Sequence, residues 1–410
     1  MKNYSGSTDI SRNIFLYKLI SFFREFWFFV PVVVLFWQSR GLSMTEIYII
    51  ESFFAVFVIL LEIPSGTFAD RFGEKLTMVI AAISLIAGFI MYALSYTFIQ
   101  FLIAEGILAI GISFLSGADS AFLYNSLKSV GRENDFKRIE GRAESLRFIG
   151  CGAGAFFGGF IASVHFEYSF YATALSVLVT FVLILFTKEP RHYTDVKKTH
   201  YMSILKESII FLKKHKLIRW YIGFWALLSS MNLILWLYQP YFSLVGIELR
   251  FFGVVFLIYN IVAAIAGRLS HKIETFFGRS GLWIFFSVLF LLPFFTMPFF
   301  LGLFSVAFIF AHQFIRGAFS PIIKHKILEH TFENKRATVL SAGSFFGRMI
   351  KAFFGPFIGI MVDGLGILKS IQIVGFVFLP ITILMLFKYY RIPKKYFEIK
   401  KNKKASLKVF

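Results

Sequence analysis

The chain has one cysteine, Cys151, in 410 residues. No disulfide can form within it, which excludes a small secreted scaffold held by bridges. Charge is scarce as well. Asp, Glu, Lys and Arg make up 16% of residues, against roughly 25% in soluble proteins. Acids are the scarcer sign, 23 against 43 Lys and Arg, for a net charge of +20. Metal-ligand spacings such as His-Glu-x-x-His or Cys-x-x-Cys, a phosphate-binding loop and a nucleophile elbow are all missing. No cofactor, no metal and no enzymatic activity are therefore expected.

What the chain has is apolar sequence. Apolar residues are 57% and aromatics 20%, with 57 Phe. That excludes disorder and an ordinary soluble enzyme. A membrane span needs about 20 mostly apolar residues, so this chain can supply twelve. Apolar runs divided by short polar breaks predict spans at 14–37, 46–68, 76–95, 98–125, 140–163, 168–187, 217–243, 250–268, 281–297, 299–323, 336–362 and 367–388. The fold class expected is an all-α membrane protein of twelve helices in two pseudo-symmetric six-helix bundles. Its parts are an N-terminus at 1–13, bundles at 14–187 and 217–388, a central loop at 188–216 and a basic tail at 389–410.

The basic residues give the orientation. Arg40, Arg250 and Lys369 lie in odd-numbered loops, and Lys18, Arg24, Arg147, Arg316, Arg348 and Lys351 lie inside spans. The rest of the 43 fall at the termini or in and beside the even-numbered loops. Cytoplasmic loops carry such an excess, so both termini and the central loop are expected in the cytoplasm of a bacterial cell, around its cytoplasmic (inner) membrane. The same spread argues against nucleic acid as a partner. In the central loop, 203–212 is a candidate surface helix, and the tail suits contact with anionic lipid.

The two halves echo each other at an offset of 201 residues. Gly66 corresponds to Gly267, and Gly154 and Gly158 to Gly355 and Gly359. Asp70-Arg71 becomes His271-Lys272. Two bundles of common design put a small-molecule site near the midplane.

After span two the chain reads Gly66-Thr67-Phe68-Ala69-Asp70-Arg71-Phe72-Gly73-Glu74-Lys75. Gly66 suits a close helix approach. Asp70 suits a helix N-terminus, and Arg71 suits a carboxylate or a helix C-terminus. The stretch resembles the loop signature of the major facilitator superfamily, Gly-x-x-x-Asp-Arg-x-Gly-Arg-Lys/Arg, with Glu74 where that family has a base. The resemblance implies a cytoplasmic latch formed by Gly66, Asp70, Arg71 and Gly73. The alternative is that Asp70 only caps span three.

In span five, Gly150, Gly154 and Gly158 recur every fourth residue and so line one helix face. They read as helix-packing glycines, matched in span eleven by Gly355 and Gly359. The run also resembles the antiporter signature of the superfamily's drug exporters, with Ala155 in place of its Pro. In span four, Leu102 and Glu105 stand where those exporters have Arg and Gln. The resemblance implies a secondary transporter that works by alternating access. Proton-coupled efflux of an amphiphilic or anionic compound by a monomer is the reading favoured. Import or uniport is the alternative within the fold. A membrane receptor or enzyme is the alternative outside it.

Ionisable side chains inside spans mark candidate pathways. These are Arg24, Glu25, Glu105, Arg147, His312, Arg316 and Lys351. Their basic excess points to an anionic or zwitterionic substrate. Arg24 and Glu25, adjacent in a helix, would project about 100° apart and not pair on one face. Glu62 and Asp119, near cytoplasmic ends, read as packing locks.

Overall fold

The computed structural model describes residues 4–190, 215–331, 336–393 and 396. The candidate helix at 203–212 and most of the basic tail lie outside them. The described residues form helices and short connections, with no strand among them. In chain order these are α1 (Tyr4–Phe23), α2 (Val33–Ser39), α3 (Met44–Phe72), α4 (Glu74–Leu94), α5 (Phe98–Leu115), α6 (Ala118–Ser129), α7 (Phe136–Ala162) and α8 (Phe166–Leu185). Then come α9 (Lys216–Ser229), α10 (Tyr238–Leu244), α11 (Leu249–Gly278), α12 (Ser280–Thr296), α13 (Val306–His330), α14 (Arg336–Leu365) and α15 (Ile367–Tyr390). Ten helical segments are long and apolar enough to cross a membrane. The shorter α12 and the α1–α2 pair occupy the two other expected spans.

Local chemistry sets several ends. Ser43 and Glu46 form a capping box at the start of α3, and Thr97 and Gln100 form another at α5. Gly73, at φ 92°, separates α3 from α4, and Gly117, at φ 85°, separates α5 from α6. Both angles suit a residue with no Cβ. Span four is thus two helices and not the single one expected. Asp119 falls in the first turn of the second.

Span one is also broken. Regular helix stops at Phe23 and resumes at Val33. Span seven has its own interruption, a 3-10 stretch from Ser230 to Leu237 between α9 and α10. Runs of this kind rarely exceed three or four residues, and inside a helix they often mark hinges. The offset of 201 carries 24–32 onto 225–233, so the two interruptions overlap in the repeat. Neighbours satisfy the loosened backbone of span one. Phe28 N–H donates to Thr173 Oγ1 at 3.0 Å, and Ser176 Oγ donates to the Phe23 carbonyl at 2.7 Å.

The glycine face of α7 packs on that same broken segment. A Cβ on Gly150 would strike the Phe22 carbonyl oxygen, one on Gly154 would lie 2.6 Å from Trp27 N and O, and one on Gly158 would strike the Phe28 oxygen. Gly355 and Gly359 are buried in α14. Gly66 has no neighbour of this kind among the described residues: nothing lies within 4 Å of its Cβ position. Gly73 makes a close approach, with its Cβ position 2.5 Å from Glu189 Oε1.

The chain divides into two compact units. The first holds Met1–Lys197 with Phe242–Ile258, and the second holds Lys198–Tyr241 with Tyr259–Phe410. The core of the first includes Trp37, Tyr48, Phe89, Tyr92 and Phe101, and that of the second Trp283, Tyr238, Tyr241 and Tyr259. Large apolar side chains such as Leu60, Leu94, Leu175, Phe353 and Phe376 stay exposed. Exposed apolar surface of this extent fits contact with lipid.

Candidate functional site

In the first unit, the break in span one gives Arg24 a place outside regular helical geometry. Its Nε lies 3.2 Å from Glu25 Oε1, and its Nη1 pairs with Asp119. The expectation that these neighbours could not pair assumed an intact helix. The helix ends one residue earlier, so the 100° projection does not apply.

Asp119 also receives Arg147, at 3.4 Å. Arg147 extends the network to Glu140 at 3.1 Å and pairs with Glu144. It donates to the Tyr17 hydroxyl at 2.8 Å, and Tyr17 in turn donates to Glu140 Oε2 at 2.8 Å. Side-chain exposures are 8% for Asp119, 13% for Arg147, 16% for Arg24 and 28% for Glu25. Spans one, four and five therefore meet through Arg24, Asp119 and Arg147, which are largely withdrawn from solvent, while Glu144 at the edge of the network is 52% exposed. Removing Asp119, which both guanidiniums share, would leave a buried charge without its counterion, a strongly destabilising change.

Sequence reasoning selected Arg24, Glu25 and Arg147. It read Asp119 as a packing lock and missed Tyr17, Glu140 and Glu144. The spacing of Glu140, Glu144 and Arg147, four and then three residues apart, puts them on one helix face and was a usable signal. The basic excess that pointed to an anionic substrate is absent from this network. Its two guanidiniums meet four carboxylates, those of Glu25, Asp119, Glu140 and Glu144.

Glu105 is elsewhere in the same unit, accepting from the Tyr92 hydroxyl at 2.6 Å. In the second unit, the His312 ring meets the Tyr238 hydroxyl at 2.7 Å and the Phe290 carbonyl at 2.8 Å. Arg316 donates to Asn260 Oδ1 at 2.7 Å, and the Lys351 ammonium lies 5.1 Å from the Trp236 ring centre. The two cations thus engage an amide and an indole.

The loop after span two has a different geometry from the one expected. Asp70 and Arg71 are exposed in the last turn of α3. The first two N–H groups of α4, from Glu74 and Lys75, donate to the Glu189 carboxylate at 2.8 and 2.9 Å. Lys75 Nζ in return donates to the Leu185 and Thr187 carbonyls at the end of α8. A carboxylate thus meets a helix N-terminus and an ammonium meets a helix C-terminus, both favourable to the helix dipoles. Asn125 donates to Glu74 Oε1 at 2.7 Å, and Asn13 brackets the Lys188 backbone at 2.8 and 2.9 Å. Burial, reinforced by the adjoining Glu74 carboxyl, pushes Glu189 up to about 7 against the pull of the two backbone N–H groups.

Comparison with known proteins agrees with this architecture. The sequence model of the Major Facilitator Superfamily matches residues 14–356. The MFS-type transporter YxaM of Bacillus subtilis (strain 168) is 24% identical over 385 residues, covering 89% of this chain and 92% of YxaM. Multidrug resistance protein 1 of the same organism is 24% identical over 189 residues, 44% of this chain and 46% of that protein. Among solved structures, the nucleoside transporter NupG superposes with a TM-score of 0.74 at 14% identity, over 94% of this chain and 99% of NupG. A D-xylose-proton symporter superposes with a TM-score of 0.71 at 14% identity, over 94% and 98%. At these identities the structures show the fold alone. The family match spans most of the chain, and this multi-pass membrane transporter belongs to the major facilitator superfamily.

Proposed function

We propose that this transporter couples protons moving inward to the efflux of a small amphiphilic compound across a bacterial cytoplasmic membrane, with both termini and the central loop in the cytoplasm. The observation that carries the reading is the Arg24–Asp119–Arg147 network at the break in span one. A chain of paired ions at a helix interruption gives a transporter two things it needs: a group that can take a proton, and a joint whose pairing changes when it does. Glu25 pairs with Arg24 and keeps 28% exposure. It can exchange a proton while Asp119 keeps both guanidiniums. When Glu25 is protonated, Arg24 is held by Asp119 alone, and span one is freer to move at its hinge.

The network's cations already face carboxylates, so it offers no surplus positive charge for an anion. The substrate class is therefore put as amphiphilic, in line with the phenylalanine rings of Phe22, Phe26 and Phe28 that pack together at and beside the break. The similarity to a protein named for multidrug resistance favours efflux. Asp70 and Arg71 remain our candidates for a latch at the cytoplasmic face. The Glu189–Lys75 contacts serve to fix the loop that presents them.

Proteoliposomes test the coupling. Uptake of a fluorescent amphiphile such as ethidium into inside-out vesicles, driven by an imposed proton gradient and abolished by a protonophore, supports it. Ethidium movement that ignores the protonophore supports a uniporter. Concentration in the opposite direction supports an importer.

A further inference from the structure

Between α12 and α13, at the end of the second unit away from Gly278, the chain runs Met297-Pro298-Phe299-Phe300-Leu301-Gly302-Leu303-Phe304-Ser305. A connection that lies in water is built from polar and turn-forming residues. This one is inverted. Its one polar side chain, that of Ser305, is buried, donating to the Gly302 carbonyl at 2.5 Å and accepting from the Tyr241 hydroxyl at 2.6 Å. The apolar side chains turn outward. Phe304 is 93% exposed, and Phe299, Phe300, Leu301 and Leu303 are each at least 60% exposed. A contiguous apolar patch of this kind marks a surface that meets a membrane or another protein.

The first unit solves the same connection differently. The offset of 201 carries Ser95, Tyr96 and Thr97 onto Thr296, Met297 and Pro298. There only Ser95, Tyr96 and Thr97 separate α4 from α5, the Thr97–Gln100 capping box closes the turn, and the Tyr96 ring centre lies 3.8 Å from the Arg40 guanidinium. The second unit has no such polar closure: the 3-10 turn Leu303–Ser305 and α13 after it both start without a side-chain cap.

Length sets the depth of the loop. The 17 residues of α12 rise about 26 Å at 1.5 Å each, short of the roughly 30 Å of a hydrocarbon layer. The chain therefore leaves α12 while still at acyl depth. It carries on the apolar surface that Ile284 and Val288 expose along α12. Part of the loop's backbone polarity is met internally, as a segment in lipid requires. The Phe299 and Phe300 N–H groups donate to the Thr296 carbonyl at 3.2 and 3.0 Å, and the Ser305 N–H donates to that of Gly302 at 3.0 Å.

We propose that residues 298–304 form a wedge seated among the acyl chains of the lipid leaflet at that end of the second unit. The segment has no charged side chain, so a polar or charged partner finds no group there to engage, whereas hydrocarbon accepts all five apolar side chains. The inference needs only that the chain spans a membrane, and it stands apart from the proton-coupling reading.

Cys151 is the sole cysteine, so a Cys151→Ala chain takes one nitroxide label wherever a cysteine is placed. Phe304→Cys and Leu301→Cys, each in that background, are labelled, checked for a monodisperse peak and reconstituted into phosphatidylcholine vesicles at a large lipid excess. Both side chains point outward, so neither label displaces packed groups. Collision of the label with oxygen, which concentrates in hydrocarbon, is compared with collision with a neutral nickel chelate, which stays in water. The expected result is oxygen collision several-fold above nickel at both positions. Nickel collision above oxygen at either position would put the loop in water and overturn the proposal. A label immobilised and shielded from both reagents would put the loop against protein, a partner or a second copy, and overturn it equally.

Discussion

Arg24, just past the end of α1, and Asp119, in the first turn of α6, form an ion pair. It ties the interruption of span one to the interruption of span four. Each of the two is placed by a break in regular helix, so the pair exists because neither span is continuous. Arg147 on α7 completes the junction.

The first prediction tests that junction. Asp119→Asn keeps the volume and removes the charge that two guanidiniums share. Removing one partner of a buried pair costs about 3–5 kcal/mol. The variant should melt several degrees lower in detergent and lose transport. A melting temperature and transport rate equal to the wild type would show the network to be dispensable.

A second prediction separates the glycines. Gly158→Ala places a methyl on the Phe28 carbonyl oxygen, whereas Gly66→Ala enters open space. Overpacking of this kind costs about 1–3 kcal/mol or more. Gly158→Ala should give low yields and aggregated material on size exclusion, and Gly66→Ala a normal monodisperse peak. The opposite pattern would place the close helix approach in the loop signature and not in span five.

The third concerns pH. Glu189 is raised from its ordinary 4.5 to about 7, chiefly by burial. An acid with a raised folded-state value binds its proton more tightly in the folded chain. Its contribution is fully present below pH 4.5 and is lost as pH rises through about 7. Glu189→Gln removes that titration. Melting temperature against pH between 4.5 and 8 should therefore fall less steeply in the variant than in the wild type. Parallel curves would show that Glu189 does not titrate in this window.

The fourth sets Glu25 against Glu105. Glu25→Gln should abolish proton-driven transport and keep substrate exchange. Glu105→Gln, whose carbonyl still accepts from Tyr92, should leave both intact. If Glu105→Gln loses proton-driven transport while Glu25→Gln keeps it, the coupling carboxylate lies on α5.

The succession of spans was legible because apolar length is a one-dimensional property. The capping boxes at Ser43 and Thr97 and the stop at Gly73 were equally local. The pairing of Arg24 with Glu25 was not. It depends on the helix ending at Phe23, and the contacts that stabilise this end come from Thr173 and Ser176, far along the chain on α8. Glu189 was illegible for the same reason. Its signature residues, Glu189-Pro190, gain meaning only when α8 brings them to the start of α4. The glycine stripe of span five showed its period in the sequence, but its partner, an opened backbone, is a tertiary feature.

The central claim is that proton movement and substrate movement share one device in span one. Proton flux measured with a pH-sensitive dye inside proteoliposomes, on adding ethidium without any imposed gradient, tests it most directly. The account predicts a proton movement opposite in direction to ethidium in the wild type and none in Glu25→Gln, with ethidium exchange retained in both. Proton movement of wild-type size in Glu25→Gln, or ethidium transport by the wild type with no proton movement, would contradict it.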